Sequence, residues 1–403
     1  MSLSGSISSL GSQYVIGLNA VNCQTGDSLA QEQTTANGKE QVLKALDEAA
    51  TKLRGKVGES LSTIQKFDTP LAAATTPSLE ALKAFSLAAK TASEKGDAAA
   101  IPFNKRAIEL DPNFASAYAG LGISYSNLGE AGLASEYIQR AYELRDRASE
   151  REKLSISAAY YMLVTGELDK TIQTYELWAE DYPRDEVPHF DLGFNYAAVG
   201  QNEKAEAETI KAVRLNPNDG SYYANLVSCY VALNHLDEAR SAYQQGTARI
   251  SDIPQLHMGR YAVSFLEGDT AEMQRQVAWA AGKPGAEDSL LAFASFTEEY
   301  YGHLGKGQEL LRRAMESARR SDEKEAAALY ETGDAQGQAD FGNSKRATQE
   351  VGSALALAPT RDVQVQAALA SARAGDSARA QAMTDDLANF GRKKEPEVAD
   401  WRR

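Results

Sequence analysis

The chain has 403 residues, 42 Lys and Arg against 56 Asp and Glu, a net charge of −14, 43% hydrophobic residues and 8% aromatic ones. That length exceeds one ordinary core and calls for several domains or a repeat array. The apolar content excludes a disordered chain, and no stretch nears the roughly 18 uninterrupted apolar residues of a membrane-spanning helix. The acidic balance opposes nucleic acid and anionic lipid, whose phosphates repel such a surface.

From the N-terminus, Ser4–Leu10, Gln13–Cys23 and Ser28–Ala36 read as three short strands, with Gly11-Ser12 and Thr25-Gly26-Asp27 as turns. MSLSGSISSLGSQ lacks the basic-then-apolar pattern of a secretory signal. A helix is expected from Lys39 to about Phe67, with Val42, Leu46, Ala49, Leu53, Val57 and Leu61 near helical spacing. Three strands and one helix make a poor independent core. Residues 1–67 are therefore expected to be the end of a larger α/β domain, docked on the first hairpins of a helical region through a connector at 68–80 (DTPLAAATTP over Asp68–Pro77).

Beyond the connector the sequence repeats. AIELDPN (Ala107–Asn113), AYELRDR (Ala141–Arg147), AVRLNPN (Ala212–Asn218) and ALALAPT (Ala354–Thr360) each come after a helical stretch by a similar offset. A second block precedes three of them, at Ala117–Glu130, His189–Gln201 and Tyr222–His235, and the unit is about 34 residues. Gly122 and Gly193 mark places where antiparallel helices approach closely. Tyr125 and Tyr196 fill the gap one turn on, the turns at Gly129 and Gly200 end first helices, and Pro112, Pro217 and Pro359 stop second helices.

This pattern resembles the tetratricopeptide repeat, a helix–turn–helix unit. Leu121, Gly122, Tyr125, Ala134, Ile138 and Ala141 fit one unit; Leu192, Gly193, Tyr196, Ala205, Ala212 and Pro217 fit another. The resemblance implies a mainly α fold, a right-handed α-α superhelix of about nine hairpins over 81–403, preceded by the small α/β segment. The hairpins are expected at 81–114, 115–151, 152–185, 186–219, 220–253, 254–290, 291–327, 328–360 and 361–394, the marks fading after Gly285.

A narrower likeness rests on QYVIGLNAVNCQTGDSLAQEQ, KFDTPLAAATTPSLEALKAF, ELWAEDYPRDEVPH and QVAWAAGKPGAED. Together they are similar to the C-terminal regions of bacterial membrane-anchored serine/threonine kinases. That likeness implies a regulatory or partner-binding region outside the membrane, whose catalytic domain lies outside this chain; a free-standing chain reads as cytoplasmic.

Catalytic material is sparse. Asp340-Phe341-Gly342 matches a kinase triplet, but no glycine-rich nucleotide loop, strand lysine or HRD-type loop accompanies it, and Gly342 is in register with the turn glycines. GHLGKG (Gly302–Gly307) lacks the spacing and following Ser/Thr of a phosphate loop. Glu298-Glu299 and Asp385-Asp386 are adjacent, so on a helix they diverge by about 100°. The four histidines stand singly, with His189 and His257 at equivalent packing positions, and Cys23 and Cys229 make neither a disulfide framework nor a zinc site. No cofactor and no metal are expected, and no enzyme activity.

What remains is a surface. In a solenoid of this kind the first helix of each hairpin lines the concave side. Its residues here are Phe85, Tyr160, Phe190, Phe194, Met258 and Phe296, with Asp191, Asn225 and Ser228 among them. The Lys/Arg/Asn clamp of chaperone-binding repeats is not reproduced. An extended peptide or protein segment with apolar anchors, its backbone held by groups such as Asn225, is the expected partner; equally, the aromatics could pack on neighbouring helices or on the chain's own end.

Overall fold

The computed structural model describes residues 1–23, 25–58, 75–128, 130–249 and 253–392. They contain nineteen α-helices and one three-stranded sheet. The chain divides into two compact units, residues 1–127 with 133–160, and 128–132 with 161–403.

In the first unit β1 (Ser2–Leu10), β2 (Gln13–Val21) and β3 (Ser28–Ala36) form an antiparallel meander in the order β1-β2-β3. Gly11, at φ 63°, starts the two-residue turn between β1 and β2, which needs the left-handed conformation to match the strand twist. Alternation along β2 turns Ile16 and Ala20 to one face, where they are buried with Ala36 beneath α1 (Val42–Lys56). From α1, Val42, Ala49 and Leu53 are buried at the expected helical spacing. The helix is shorter than expected: it is preceded by a 3₁₀ turn over Lys39–Gln41 and ends at Lys56, where Gly58 adopts φ 93° two residues on. Leu61 and most of the expected connector lie outside the described residues.

Helices α2 (Leu79–Lys95), α3 (Asp97–Leu110), α4 (Ala115–Asn127), α5 (Ala131–Glu143) and α6 (Glu150–Tyr160) come next. Ser78 caps α2 by accepting from the Ala81 N–H, and buried Thr76 donates to Asp111 at 2.6 Å, tying the approach to α2 to the end of α3. Phe114 fills the core among Ala81, Ala107 and Ala117. A Cβ on Gly122 would lie 2.7 Å from Ile138 Cγ1, so only glycine lets α4 and α5 approach this closely. The turn at Gly129 lies outside the described residues.

The second unit opens with one wide π-type turn (Tyr161–Thr165) and continues as paired helices. These are α7 (Leu168–Asp181), α8 (Glu186–Ala198), α9 (Asn202–Leu215), α10 (Gly220–Ala232), α11 (Leu236–Arg249), α12 (Pro254–Glu267) and α13 (Thr270–Ala280). Then come α14 (Glu287–Tyr300), α15 (Leu304–Arg320), α16 (Lys324–Asp340), α17 (Ser344–Leu357), α18 (Arg361–Arg373) and α19 (Ser377–Arg392). Left-handed residues at 166, 200, 234, 268 and 302 close successive hairpins at intervals of 34. All are glycine except Asn234, the side chain that best tolerates this conformation after glycine. From Gly200 onward each is succeeded by an N–H that bonds the carbonyl five residues back, as in Gln201 to Tyr196 (2.8 Å), His235 to Tyr230 (2.8 Å) and Asp269 to Ser264 (2.9 Å). These bonds satisfy carbonyls that a helix end would otherwise orphan. The period then stretches to Gly342, because α15 and α16 run to 17 residues each. Pro217 and Pro359 stand two residues past the ends of α9 and α17.

Gly333 and Gly337 lie one turn apart inside α16, and a Cβ at either meets nothing within 4 Å. Gly333→Ala is therefore expected to raise stability by up to about 1 kcal/mol, through a stiffer unfolded chain and better helix propensity. Urea denaturation checks this; a loss of stability would mean the face is closed.

Candidate functional site

The first helices of the second unit present matching rows. Phe194 (α8), Ser228 (α10), Ala262 (α12) and Phe296 (α14) recur every 34 residues, and so do Val231, Phe265 and Glu299. Successive first helices meet one position inward of these rows. Between α8 and α10 the contact is Gly193 against Asn225, and a Cβ on Gly193 would lie 3.0 Å from Asn225 Nδ2. Between α10 and α12 it is Gly259 against Val227, at 2.7 Å. Between α12 and α14 neither member is small: Tyr261 and Phe293 stack with ring centroids 5.8 Å apart.

Beside these two rings a cleft of about 440 Å³ opens on α10, α12 and α14. Val231, Tyr261, Phe265, Leu266, Phe293, Phe296 and Tyr300 supply its apolar walls. Phe265 meets Tyr300 edge-on at 5.3 Å, and the Tyr261 hydroxyl donates to Thr297 Oγ1 at 2.9 Å, which satisfies the one polar group a ring there would strand. Phe296 is 52% exposed and Tyr300 74%, so the rim is open to solvent.

The residues expected in the groove fare differently. Phe296 lines the cleft, and Met258 packs behind it in the cluster around Tyr261. Phe194 stands exposed on α8, whereas Phe190 packs on Tyr222 at 4.7 Å. Asn225 donates to Thr209 Oγ1 at 3.0 Å, and Ser228 donates to its own helix at the Ala224 carbonyl. In the first unit Phe85 is half-buried, edge-on to Phe114 at 5.1 Å. Tyr160 is buried and stacked on Tyr142 at 3.8 Å, which leaves its ring no free face for a ligand. Tyr261, Phe265, Leu266, Phe293 and Tyr300 were not among the expected groove residues; for all but Phe293 the signal is the aromatic density of YAVSFLEG and FTEEYYG just ahead of the turn glycines.

The electrostatics are anionic. Burial pushes the Asp191 carboxyl up to about 7, helped by Asp185 nearby and opposed by the hydrogen bond from Tyr175. Burial also raises Glu299, with Asp334 adding to the effect. His189 Nδ1 lies 2.6 Å from Glu208 Oε2, and His257 Nδ1 2.6 Å from Gln276, so both histidines are buried packing residues with a partner from the second helix. His257 stacks on Trp279 at 3.4 Å. Among the described residues no three His, Cys, Asp or Glu group so as to hold a metal. Nor is any described helix long and apolar enough to cross a membrane. Asp340 pairs with Arg373 at 2.8 Å and Gly342 is a turn residue at φ 80°, so the kinase-like triplet is a hairpin turn. In GHLGKG, His303 and Lys306 both contact Glu298.

Residues 115–147 and 220–251, which are the hairpins α4–α5 and α10–α11 with their flanks, match the tetratricopeptide repeat family. These two hairpins match as tetratricopeptide repeats. Among solved structures it is similar to the apo form of RapI, with 15% identity over 61% of this chain and 100% of that one, at a TM-score of 0.43. It is similar to a tetratricopeptide repeat protein from Parabacteroides merdae, with 14% identity over 63% and 99%, at 0.41. It is also similar to PilW, a type IV pilus biogenesis factor, with 17% identity over 53% and 97%, at 0.39. The apolar cleft begins within the matched hairpin, at Val231 on α10, and continues onto α12 and α14.

Proposed function

We propose that this tetratricopeptide-repeat chain is a non-catalytic scaffold that binds an extended protein segment along its first-helix face. The observation that carries the reading is the apolar cleft on α10, α12 and α14, open at Phe296 and Tyr300. A preformed apolar recess with few polar groups suits one or two large anchor side chains of a partner. Phe194 extends the face toward α8, while Phe85 and Phe190 serve in packing and Asp191 is held against Tyr175. Residues 81–403 form the repeat array in this reading, 1–67 an α/β piece and 68–80 their connector.

A peptide array probed with the full chain, and then fluorescence anisotropy on the strongest binders, tests the reading. Phe296→Ala is expected to weaken binding about tenfold, or ~1.4 kcal/mol, and Phe194→Ala less. Binders indifferent to Phe296→Ala would move the site elsewhere, and an array without binders would remove the function. The alternative, that the chain is the sensor or regulatory region of a serine/threonine kinase, draws on the sequence likeness across 13–33, 66–85, 176–189 and 276–288. A kinase reading frame running into this one in genomic DNA supports it; its absence overturns it.

A further inference from the structure

Nine consecutive residues of β1, Ser2–Leu10, are exposed on both faces of the strand. By register Leu3 lies opposite Ala20 and Ile7 opposite Ile16, so both belong to the face that α1 covers on β2 and β3. Yet α1 packs mainly on β3 and β2, and Leu3 stays 64% and Ile7 54% exposed. The tight turn closes on the Leu10–Gln13 pair, which directs the N–H and C=O groups of Leu10 and every second residue back toward β2. Leu3, Gly5, Ile7 and Ser9 therefore aim their backbone groups at the free edge.

Edges of this kind are normally guarded by charge, proline or a covering element. The β3 edge has such a guard: Lys56 donates to the Gln31 carbonyl at 2.9 Å and pairs with Glu32 at 2.7 Å. β1 has none, since the first charged side chain of the sequence is Asp27 and residues 1–26 contain no proline.

We propose that β1 is a self-pairing edge, at which two copies of the chain join antiparallel with Gly5 opposite Gly5 of the second copy. In that register Leu3 faces Ile7, Ile7 faces Leu3, Ser4 faces Ser6 and Ser2 faces Ser8. The outward-aimed residues all fall in hydrogen-bonded pairs, and the exposed apolar side chains meet on one face. Shifting the centre to Ser6 would set Leu3 against Ser9 and Ile7 against Gly5, losing both apolar pairs. Charge favours the same occupant. A chain of net charge −14 repels its own copy over most of its surface, and the uncharged β1–β2 hairpin is where that repulsion is least. Because β3 is guarded, pairing closes at two copies and does not grow into a fibre. Two paired strands bury less than the ~1,200 Å² of a standard interface, so the dimer is weak and concentration-dependent.

Sedimentation velocity on the full chain from about 5 to 500 µM is expected to show a reversible dimer, absent in Ile7→Lys at equal helicity by circular dichroism. The register is read separately, in a Cys23→Ser background, because Cys23 is exposed. There Gly5→Cys should form a covalent dimer with oxidised glutathione; a Cβ at Gly5 meets only Leu18 and Gly17, at 3.5 and 3.8 Å, so the variant folds. Ser9→Cys should not, since the two Ser9 positions stand roughly 27 Å apart along the strand in this register. A monomer throughout with no cross-link at Gly5 overturns the proposal and leaves the edge to a strand from another chain. A dimer that survives Ile7→Lys, or cross-links equally at Ser9, overturns it as well.

Discussion

Replacing Gly193 by Leu is expected to destabilise the protein by about 1–3 kcal/mol, toward the upper end of the usual cost of overpacking. Gly193 sits on α8 where three groups converge. A Cβ there collides with Thr209 Oγ1 and lies 3.0 Å from Asn225 Nδ2 and 3.3 Å from the Ala205 carbonyl. Two of these are already engaged with each other, as Asn225 donates to Thr209 at 3.0 Å, and Thr209 is fully buried. A leucine must therefore both spread α8 from α9 and α10 and break a part-buried hydrogen bond, stranding the buried Thr209 hydroxyl away from water. Lys204→Ala is the control. Lys204 is exposed on α9 with its ammonium 5.1 Å from the Tyr196 ring, and its loss should stay within about 0.5 kcal/mol. Urea denaturation of both variants, monitored by circular dichroism, reads the difference. Equal shifts would mean Gly193 is not at a helix contact.

That glycine also shows what was legible in advance. The period, the turn glycines and the terminating prolines are local signals, each fixed by the backbone conformation of one residue, so the hairpin repeat could be read from sequence. Gly193 was recognisable as a close approach within a hairpin, but its contact with Asn225 crosses to the next hairpin, which no local pattern specifies. Asn234 and Asp322 take left-handed turns without glycine, and the wide turn at Tyr161–Thr165 has no sequence mark. In α1 the helical spacing of Val42, Ala49 and Leu53 was readable, yet the spacing runs on through Val57 while the helix stops at Lys56.

The cleft was half legible for a related reason. The expected groove residues include Phe296 but leave out the aromatic and leucine side chains at the last turn of the first helix. Phe265, Leu266 and Tyr300 occupy that last turn. Whether an aromatic there makes a recess depends on how α12 and α14 pack, and that contact, Tyr261 on Phe293, lies between hairpins, where no local pattern specifies it. Tyr160 illustrates the converse: its position in the unit is that of a groove residue, but Tyr142 from the preceding hairpin stacks on it.

Asp191→Asn is expected to stabilise the protein at pH 8 and to change little near pH 4. The carboxyl lies against the Tyr175 hydroxyl with Asp185 close by, and burial is the main reason its pKa rises to about 7. The unfolded chain releases this proton near pH 4, whereas the folded one holds it to about pH 7. Between those values the native state binds more protons than the unfolded state, so this group makes stability fall as pH rises, and the loss is complete above about pH 7. Asparagine keeps the shape and can still accept from Tyr175 without a charge to desolvate. The stability difference between variant and wild type should therefore be near zero at about pH 4, grow through pH 5 and 6, and level off above pH 7 at a few kcal/mol, with about 4 as the ceiling for a shift of this size. Every other titrating group is common to both proteins and cancels. Urea denaturation at three pH values measures the difference; parallel pH profiles would show that Asp191 is solvated and ionised like any surface carboxylate.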